Sequence, residues 1–447
     1  MAIQVSNTDM PTLGSRREQR EAYLKTLLAT LQGNMTDPLT FPAVRSKAEA
    51  LLKEHTFPST KQEAWRFTDL TPMLSVPFEA SAASLEVETS TLSAVQMPEA
   101  GARLVLVNGQ FSAALSDVEA LPAGVVVGSL TDLDTGAMQA SLAARFAQAA
   151  GGHEIFTALN TVGFQDAAVV WVPPNQVIEA PIQVVYLSID QATPTITCPR
   201  CLVVAESGSV LTLVEDFWGP GTQDQFNNSV TEIWADENAQ VTHVRLQREG
   251  AGTFHIGKTT VTQGGGSRYL STAVTLGARL SRHNLEVYQT GAQTDTKLYG
   301  LTAIADTQLA DTHSLVAFNH PHGTAEQLHK CIMDGQSHAV FNGQIWVPQN
   351  AQMTNASQLN RNLLLSGKAR VDTKPELDIV ADNVKCAHGA TVSQLDANEV
   401  FYLQSRGISA EAAQRLLIYG FAMDIIDRIP VPTLQEMLTA TVTQWTR

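Results

Sequence analysis

Cysteine is scarce in this chain of 447 residues, which has only four: Cys198, Cys201, Cys331 and Cys386. Proteins that rely on disulfides instead of a large core need a far higher density of cysteine, so a disulfide-stapled scaffold is excluded. In a reducing compartment the four residues are expected to be free thiols or metal ligands.

Long apolar runs are also absent. No stretch offers about 18 consecutive uncharged apolar residues, the length that a membrane-spanning helix requires. The first ten residues, MAIQVSNTDM, lack a basic region followed by an apolar run, which is the pattern of an export signal. We therefore expect no membrane association and a cytoplasmic protein.

Positive charge is in short supply. Lys and Arg total 29 against 44 Asp and Glu, which gives a formal net charge of −15 at pH 7. A surface of this sign repels phosphate backbones and anionic lipid headgroups. Nucleic acid is therefore not expected among the partners.

Several catalytic signatures are missing too. The sequence has no GxxxxGK[ST] phosphate-binding loop, no GxSxG nucleophile elbow and no HExxH zinc helix. The glycine run Gly264–Gly266 follows no strand-to-helix step, so it is interpreted as a turn. Hydrolase chemistry therefore has no local support.

What the chain does have is a hydrophobic period that changes twice. Apolar residues recur on one helical face within Glu18–Gln32 and again in AVRSKAEALLKEH, which predicts an N-terminal helical portion. From about Arg103, and clearly within Val169–Val392, short β-branched runs separated by Gly, Asn and Asp are typical of strands. The period then becomes helical again, with Asp396 and Ser409 as predicted N-caps.

The strand-rich region is punctuated by turn residues that are often roughly 12 to 17 residues apart. This spacing indicates coils stacked on one another, each burying an apolar face of the next. No long helical segment lies between the strands, which argues against a doubly wound sheet. We favour a β-helix or solenoid over a closed β-sandwich. Its open ends would need covers, and helical segments at the two ends of the chain can provide them and receive partners.

Two groups of cysteines and histidines have the composition of metal sites, but each has a simpler interpretation. CPRC gives Cys198 and Cys201 the spacing of zinc and redox sites, yet no second CxxC or HxxxH follows to complete four ligands. We interpret it as a chance occurrence at the start of a strand. A histidine-rich segment is interpreted as surface and turn residues, because ligation requires convergence in space. Its members are His313, His320, His322, His329, Cys331 and His338.

Cys386 and His388, in VKCAHGATV, are harder to dismiss. Two residues apart on a strand, their side chains project to the same face, so the sulfur and a ring nitrogen could both approach one iron or zinc ion. The alternative is that Gly389 makes a turn and one of the pair is a core residue. The residues alone leave both interpretations open.

The stretch that contains this pair resembles a known family. C-x-H-G-A-T-V-x-Q-L-D and F-Y-L-x-S-R-G-I, between Gln358 and Ser409, are similar to the hallmark region of the SufB/SufD family, and to its SufD branch in particular. TKQEAWRFTDL, LVLVNGQFS, FTALNTVGFQDAAVVWVP and FNGQIWVPQNAQMTNASQLNRNLLLS are further similar segments. The resemblance covers nearly the whole chain after about residue 55. CPRC and Cys331 have no counterpart in the family pattern, so they inherit no role.

This resemblance implies a mainly β fold, a right-handed parallel β-helix flanked by N-terminal and C-terminal helical regions. On this basis we expect an N-terminal helical domain at residues 1–100, a β-helix core at 101–392 and a C-terminal helical domain at 393–447.

The resemblance also implies a non-catalytic subunit of the SUF iron–sulfur cluster assembly complex. The expected partners are SufB, joined through the end of the β-helix, and the ATPase SufC, joined through the C-terminal helical region. The nucleotide chemistry would belong to SufC, in keeping with the missing phosphate-binding loop. In isolation the chain is also a candidate for pairing with itself through the same end.

His388 is the position to which the resemblance assigns a part in building the nascent cluster, opposite a cysteine of SufB. Cys386 would lie close by, either as an auxiliary ligand or as a packed core thiol. One imidazole holds iron less firmly than a fourth thiolate, which suits a cluster that must be released. The cluster is expected to be transient in the complex, with no cofactor stably bound by the isolated chain. Whether a flavin binds the complex stays open.

Two other functions compete with this one. The first is a pure structural scaffold that binds its partners but supplies no cluster ligand. The second, less favoured, is a β-helix carbohydrate enzyme, which would need paired carboxylates along a groove.

Overall fold

The computed structural model describes residues 16–33, 41–81, 87, 89–118, 121–133 and 138–445. In this part of the chain the α-helices are α1 (Arg16–Gly33), α2 (Pro42–Glu54), α3 (Thr71–Leu74), α4 (Gln139–Arg145), α5 (Ile155–Gly163), α6 (Ala397–Ser405), α7 (Ala410–Ile426) and α8 (Pro432–Trp445). Short 3-10 helices span Glu63–Trp65, Thr89–Val95 and Ala113–Leu115.

The strands are far more numerous than the helices. They are β1 (Glu79–Ala80), β2 (Ala102–Val107), β3 (Gln110–Phe111), β4 (Val126–Ser129), β5 (Ala168–Val172), β6 (Ile182–Leu187), β7 (Thr195–Thr197), β8 (Arg200–Ala205), β9 (Val210–Gly219), β10 (Gln225–Ala235), β11 (Gln240–Glu249), β12 (Thr253–Gln263), β13 (Arg268–Thr275), β14 (Leu280–Gln289), β15 (Asp295–Ile304), β16 (Leu309–Phe318), β17 (Thr324–Met333), β18 (His338–Val347), β19 (Asn355–Leu364), β20 (Arg370–Ile379) and β21 (Lys385–Ser393).

Two sheets, parallel except for the antiparallel pairs β2–β3 and β4–β5, form the walls of a β-solenoid, which confirms the predicted fold class. The even-numbered strands from β8 to β20 follow one another in one sheet, and the odd-numbered strands from β9 to β21 follow one another in the other. Each strand pairs in parallel register with the strand one coil away, so Phe254 lies beside both Phe226 and Leu280. Side chains from successive coils therefore stack in columns that run along the solenoid.

One interior column shows why this sequence forms stacked strands. It is apolar and mostly β-branched: Val203, Ile233, Val261, Val287, Val316, Ile345 and Leu377. β-branched side chains fit the pleated surface of a strand, and burying each one stabilises the fold by about 1.5–3 kcal/mol. The strand-rich composition thus builds a continuous core instead of several separate ones.

The interior also holds charged groups. Glu215 accepts hydrogen bonds from Tyr186 and Thr231 and lies 2.9 Å from Nε2 of His243. Burial alone would raise the pKa of Glu215, but the hydrogen bonds from His243 and Thr231 bring that pKa below its usual value. Buried carboxylates are tolerated only when they are paired in this way.

The N-terminal helices pack on the outer face of the even-numbered sheet. α5 is bounded by charge at both ends: Glu154 accepts hydrogen bonds from two backbone N–H groups at its start, and Arg45 donates to the carbonyl oxygens of Val162 and Phe164 at its end. An anion at the N-terminus and a cation at the C-terminus both interact favourably with the helix dipole. Arg45 lies in the first turn of α2, so its hydrogen bonds fasten α2 to the end of α5.

The C-terminal helices pack on the outer face of the other sheet. Lys330 of β17 lies 2.8 Å from a carboxylate oxygen of Asp424 and donates to the carbonyl of Phe421, which ties α7 to the sheet. The predicted N-caps are confirmed, since Asp396 and Ser409 each accept a backbone hydrogen bond at the start of α6 and α7. In the described part of the chain, no helix combines the length and the apolar character needed to span a membrane.

Candidate functional site: the open terminal coil

The last coil of the solenoid consists of β20 and β21. Each is the outermost strand of its sheet, and no other strand among the described residues continues the stack beyond them. Their backbone groups on that side have no strand partner, and none of the residues of either strand is fully buried. The solenoid is therefore open at this end.

Cys386 and His388 both lie in β21 on the face that points into the solenoid. Cys386 pairs with Ala356 and packs against the interior core, and His388 pairs with Gln358 two positions further on. Gly389 continues the strand, so the alternative in which it makes a turn is wrong. The structure thus brings the thiol and the imidazole to one face, at the mouth of the open end.

The two side chains differ in how far they are exposed. Cys386 is half-buried, whereas His388 is exposed because no further coil stacks on it. Burial raises the pKa of the Cys386 thiol, and a hydrogen bond with the backbone of Ala356 offsets only part of that rise. The thiol must therefore lose a proton before its sulfur can bind iron.

A thiol and an imidazole are suitable iron ligands, but they do not complete a site. Within the residues that the structure describes, no group of three or more His, Cys, Asp or Glu side chains surrounds a common point. Iron in a cluster takes four ligands, of which sulfide can supply some. The terminal coil can therefore contribute part of a ligand set, with the remainder supplied by another molecule.

The CPRC motif is divided between two environments. Cys198 lies in the apolar layer beneath the N-terminal helices, whereas Cys201 faces the interior of the solenoid. Burial raises the pKa of Cys198 to about 12. Cys331 is also a core residue, and burial raises its pKa to about 12. All three thiols therefore have the environment of packed side chains. Cys201 lies near the start of β8, in keeping with the interpretation of CPRC as a chance occurrence at the start of a strand.

The histidine-rich segment does not converge. His313 pairs with Asp311 at 3.0 Å and His338 pairs with Asp372 at 2.7 Å, both on the outer face of the even-numbered sheet. His329 is instead buried in the interior beside Thr302. His320 and His322 are exposed in the connection between β16 and β17. The interpretation as surface and turn residues is confirmed for four of the histidines and wrong for His329, which is a core residue.

Gln358 lies directly beneath His388, and no sequence motif marked it as a functional residue. Gln327 lies one coil further in, so two glutamines and the histidine share one interior column. The signal was present in the sequence as the recurrence of similar polar residues one coil apart. It could not be used without the register of the coils.

The fold and its terminal coil define a class of protein: a helix-flanked parallel β-solenoid whose open end presents a thiol and an imidazole. Residues 187–421 match the family described as SUF system FeS cluster assembly, SufBD core domain, and residues 21–184 match the SufBD protein N-terminal region.

Curated relatives agree with these matches. Over 403 residues the chain is 46% identical to an iron–sulfur cluster assembly SufBD family protein of Synechocystis, with 88% of each chain covered. It is 34% identical over 414 residues to Protein ABCI7, chloroplastic, of Arabidopsis thaliana, covering 90% of this chain and 85% of that one. It is 29% identical over 406 residues to the iron–sulfur cluster assembly protein SufD of Escherichia coli, covering 90% and 92%. The chain belongs to the SufB/SufD family of iron–sulfur cluster assembly proteins.

Proposed function

We propose that this chain is the SufD-type, non-catalytic subunit of a SUF complex, and that its terminal coil forms one wall of the space in which a nascent iron–sulfur cluster is built. The observation that carries this proposal is the presence of His388 and Cys386 on the inner face of an unpaired coil. We assign the complex to the cytoplasm on the sequence-based expectation alone.

The proposed partner at the open end is a SufB protein that offers the end of its own β-solenoid. Unpaired edge strands accept further strands through their backbone groups. Apolar side chains beside these edges also favour a protein partner, since Ile379, Val380 and Val392 are 37%, 51% and 50% exposed. Such a contact would enclose His388 and Cys386 and shield a cluster from water.

The proposed docking surface for a SufC-type ATPase is the outer face of α6 and α7. No residue of α6 is buried, and Phe401, Tyr402 and Leu416 are 70%, 57% and 48% exposed. Exposed aromatic side chains on a helix are typical anchors of protein interfaces. ATP hydrolysis would be carried out by that partner.

Within this complex, we assign His388 the role of a labile iron ligand. A single imidazole among thiolate and sulfide ligands weakens the hold on iron, which allows the finished cluster to leave. Cys386 is assigned an auxiliary role, because its thiol is half-buried and must first lose a proton.

The test is anaerobic co-expression of the chain with SufB and SufC proteins from one source. Native mass and the iron and sulfide contents are measured on the same purified sample. We expect a hetero-complex that contains iron and sulfide. His388→Ala should lower both contents without changing the native mass, whereas His320→Ala, which changes an exposed histidine two coils before the open one, should leave both unchanged.

The outcomes separate the competing functions. If His388→Ala leaves the iron content of an intact complex unchanged, the ligand role is contradicted and the pure structural scaffold is favoured. A chain that stays apart from both partners would contradict the proposed function as a whole.

A further inference from the structure

His388 ends an interior column of the solenoid. Leu298, Gln327, Gln358 and His388 stack in that order, each in register with the next. Backbones of neighbouring strands in a sheet are about 4.8 Å apart. The side chain of Gln358 is therefore the interior neighbour directly beneath the imidazole.

The two amide groups of this column are linked to each other and to Ser314 of the opposite sheet by hydrogen bonds. Gln327 donates from Nε2 to Oγ of Ser314 at 2.8 Å, and Gln358 donates from Nε2 to Oε1 of Gln327 at 2.7 Å. Ser314 also donates from Oγ to Oε1 of Gln327 at 3.2 Å, so that oxygen accepts from both Ser314 and Gln358. The Nε2 of Gln358 is engaged below, which leaves its Oε1 to face other groups.

That oxygen is buried and unsatisfied. Gln358 is only 2% exposed, and its Oε1 has no hydrogen-bond partner within the described residues. A buried acceptor without a donor is unfavourable, because the hydrogen bond that it loses to water is not replaced. The imidazole N–H of His388 is a donor of the required kind one coil away.

The opposite wall of the solenoid is shaped around Gln358. Gly343 lies across the interior, and a Cβ atom at that position would stand 2.2 Å from Nε2 of Gln358. The glycine thus provides the space in which the amide lies.

Gln358 Oε1 and the His388 ring form no hydrogen bond in the structure, although the two residues are in register. We infer that Gln358 is a positioning residue for His388: rotation of the exposed imidazole over the column lets one ring N–H donate to Oε1, which fixes the imidazole tautomer. The other ring nitrogen then keeps its lone pair free and faces the open end, where iron would bind. Hydrogen bonds of this kind select the tautomer and orientation of metal-binding histidines. The purpose of this positioning rests on the proposed ligand role of His388, but the hydrogen bond between His388 and Gln358 does not.

The test measures the tautomer of His388 in the full isolated chain by nitrogen NMR of ¹⁵N-histidine-labelled protein, at a pH at which imidazoles are neutral. The signals are assigned by their loss in His388→Ala. Gln358→Met keeps the length of the side chain and removes the acceptor. We expect the tautomer ratio of His388 to change by about fivefold, the equilibrium equivalent of one ordinary hydrogen bond, towards the ratio of the exposed His320.

Asn362→Leu is the matched control. Asn362 is buried in the same strand, faces the same interior and also has an oxygen without a partner, but it lies beneath Val392. Asn362→Leu should leave the tautomer ratio of His388 unchanged. An unchanged ratio in Gln358→Met, or an equal shift in Asn362→Leu, would overturn the inference.

Iron content separates this inference from the proposed function. In the complex with SufB and SufC, Gln358→Met should lower the iron content less than His388→Ala does. A tautomer shift in Gln358→Met together with iron that is insensitive to His388→Ala would leave the positioning role intact and remove the ligand role.

Discussion

The guanidinium carbon of Arg282 lies 3.9 Å from the centre of the Trp65 ring, and the same guanidinium is paired with the carboxylate of Asp311. Thr68 donates a hydrogen bond to that carboxylate as well. Trp65 and Thr68 belong to the segment before α3, whereas Arg282 and Asp311 belong to neighbouring strands of the solenoid. This four-residue cluster therefore joins the N-terminal part of the chain to the β-solenoid.

Asp311→Ala should destabilise the protein by about 3–5 kcal/mol, because it leaves the buried Arg282 guanidinium without its counter-ion. The free energy of unfolding is measured by urea denaturation. Glu63→Gln is the control, since Glu63 pairs with Lys374 on the exposed surface and should have little effect. Equal losses in the two variants would contradict the assignment of Asp311 as the buried partner.

His329 should make the protein sensitive to mild acid. Burial lowers the pKa of His329 to about 4, whereas an unfolded histidine titrates near its ordinary value of 6.5. Between these two values the unfolded chain binds a proton that the folded chain does not, so stability is lost as the pH falls from 6.5 towards 4. Between pH 6.5 and pH 5, this difference in proton binding lowers the free energy of unfolding by about 2 kcal/mol.

The measurement is the free energy of unfolding of wild type and His329→Leu at pH 7.5 and pH 5. The variant should be less stable at pH 7.5 but should lose less on acidification. His320→Ala, at an exposed position, should keep the wild-type pH dependence. Parallel pH dependences in wild type and His329→Leu would show that this imidazole is not the group responsible.

Gly300→Ala should destabilise the solenoid by about 1–3 kcal/mol through overpacking. A Cβ atom at this position would stand 2.0 Å from Nδ1 of His329, in a rigid interior. Gly420→Ala in α7 is the control, because nothing lies within 4 Å of the new methyl group and alanine favours the helix. Thermal unfolding distinguishes the two: the first variant should melt lower than wild type, and the second should not.

Alkylation should report which thiol is accessible. Cys198, Cys201 and Cys331 are buried, and burial raises the pKa of each, whereas Cys386 is half-buried at the open coil. In the native chain, iodoacetamide should therefore modify Cys386 first and the other three only after unfolding. Peptide mass spectrometry gives the sites. Protection of Cys386 in the SufB-containing complex is expected if that end is the interface, and labelling at an undiminished rate would argue against it.

The local patterns predicted much of the fold. Helical periodicity gave α1 and α2, the N-caps Asp396 and Ser409 marked true helix starts, and regularly spaced turns indicated stacked coils. These features depend on residues that are close in sequence. The same is true of Cys386 and His388, whose common face follows from the two-residue period of a strand.

The interior of the solenoid was not predictable in this way. Gly300 makes room for His329 and Gly343 for Gln358, but each pair is brought together by the stacking of coils and not by sequence proximity. A shift of one residue in the register of a strand would turn these side chains outward. The burial of His329 and the position of Gln358 beneath His388 therefore required the structure.

The open end of the solenoid also bears on how the cell must supply this protein. A copy whose open end is uncovered carries two exposed edge strands and an exposed apolar rim, the features that lead to aggregation or to removal by quality control. In the proposed complex, an excess of this subunit over the chain that covers its open end would be a burden, and balanced synthesis of the two chains would follow from the same unpaired coil that exposes His388.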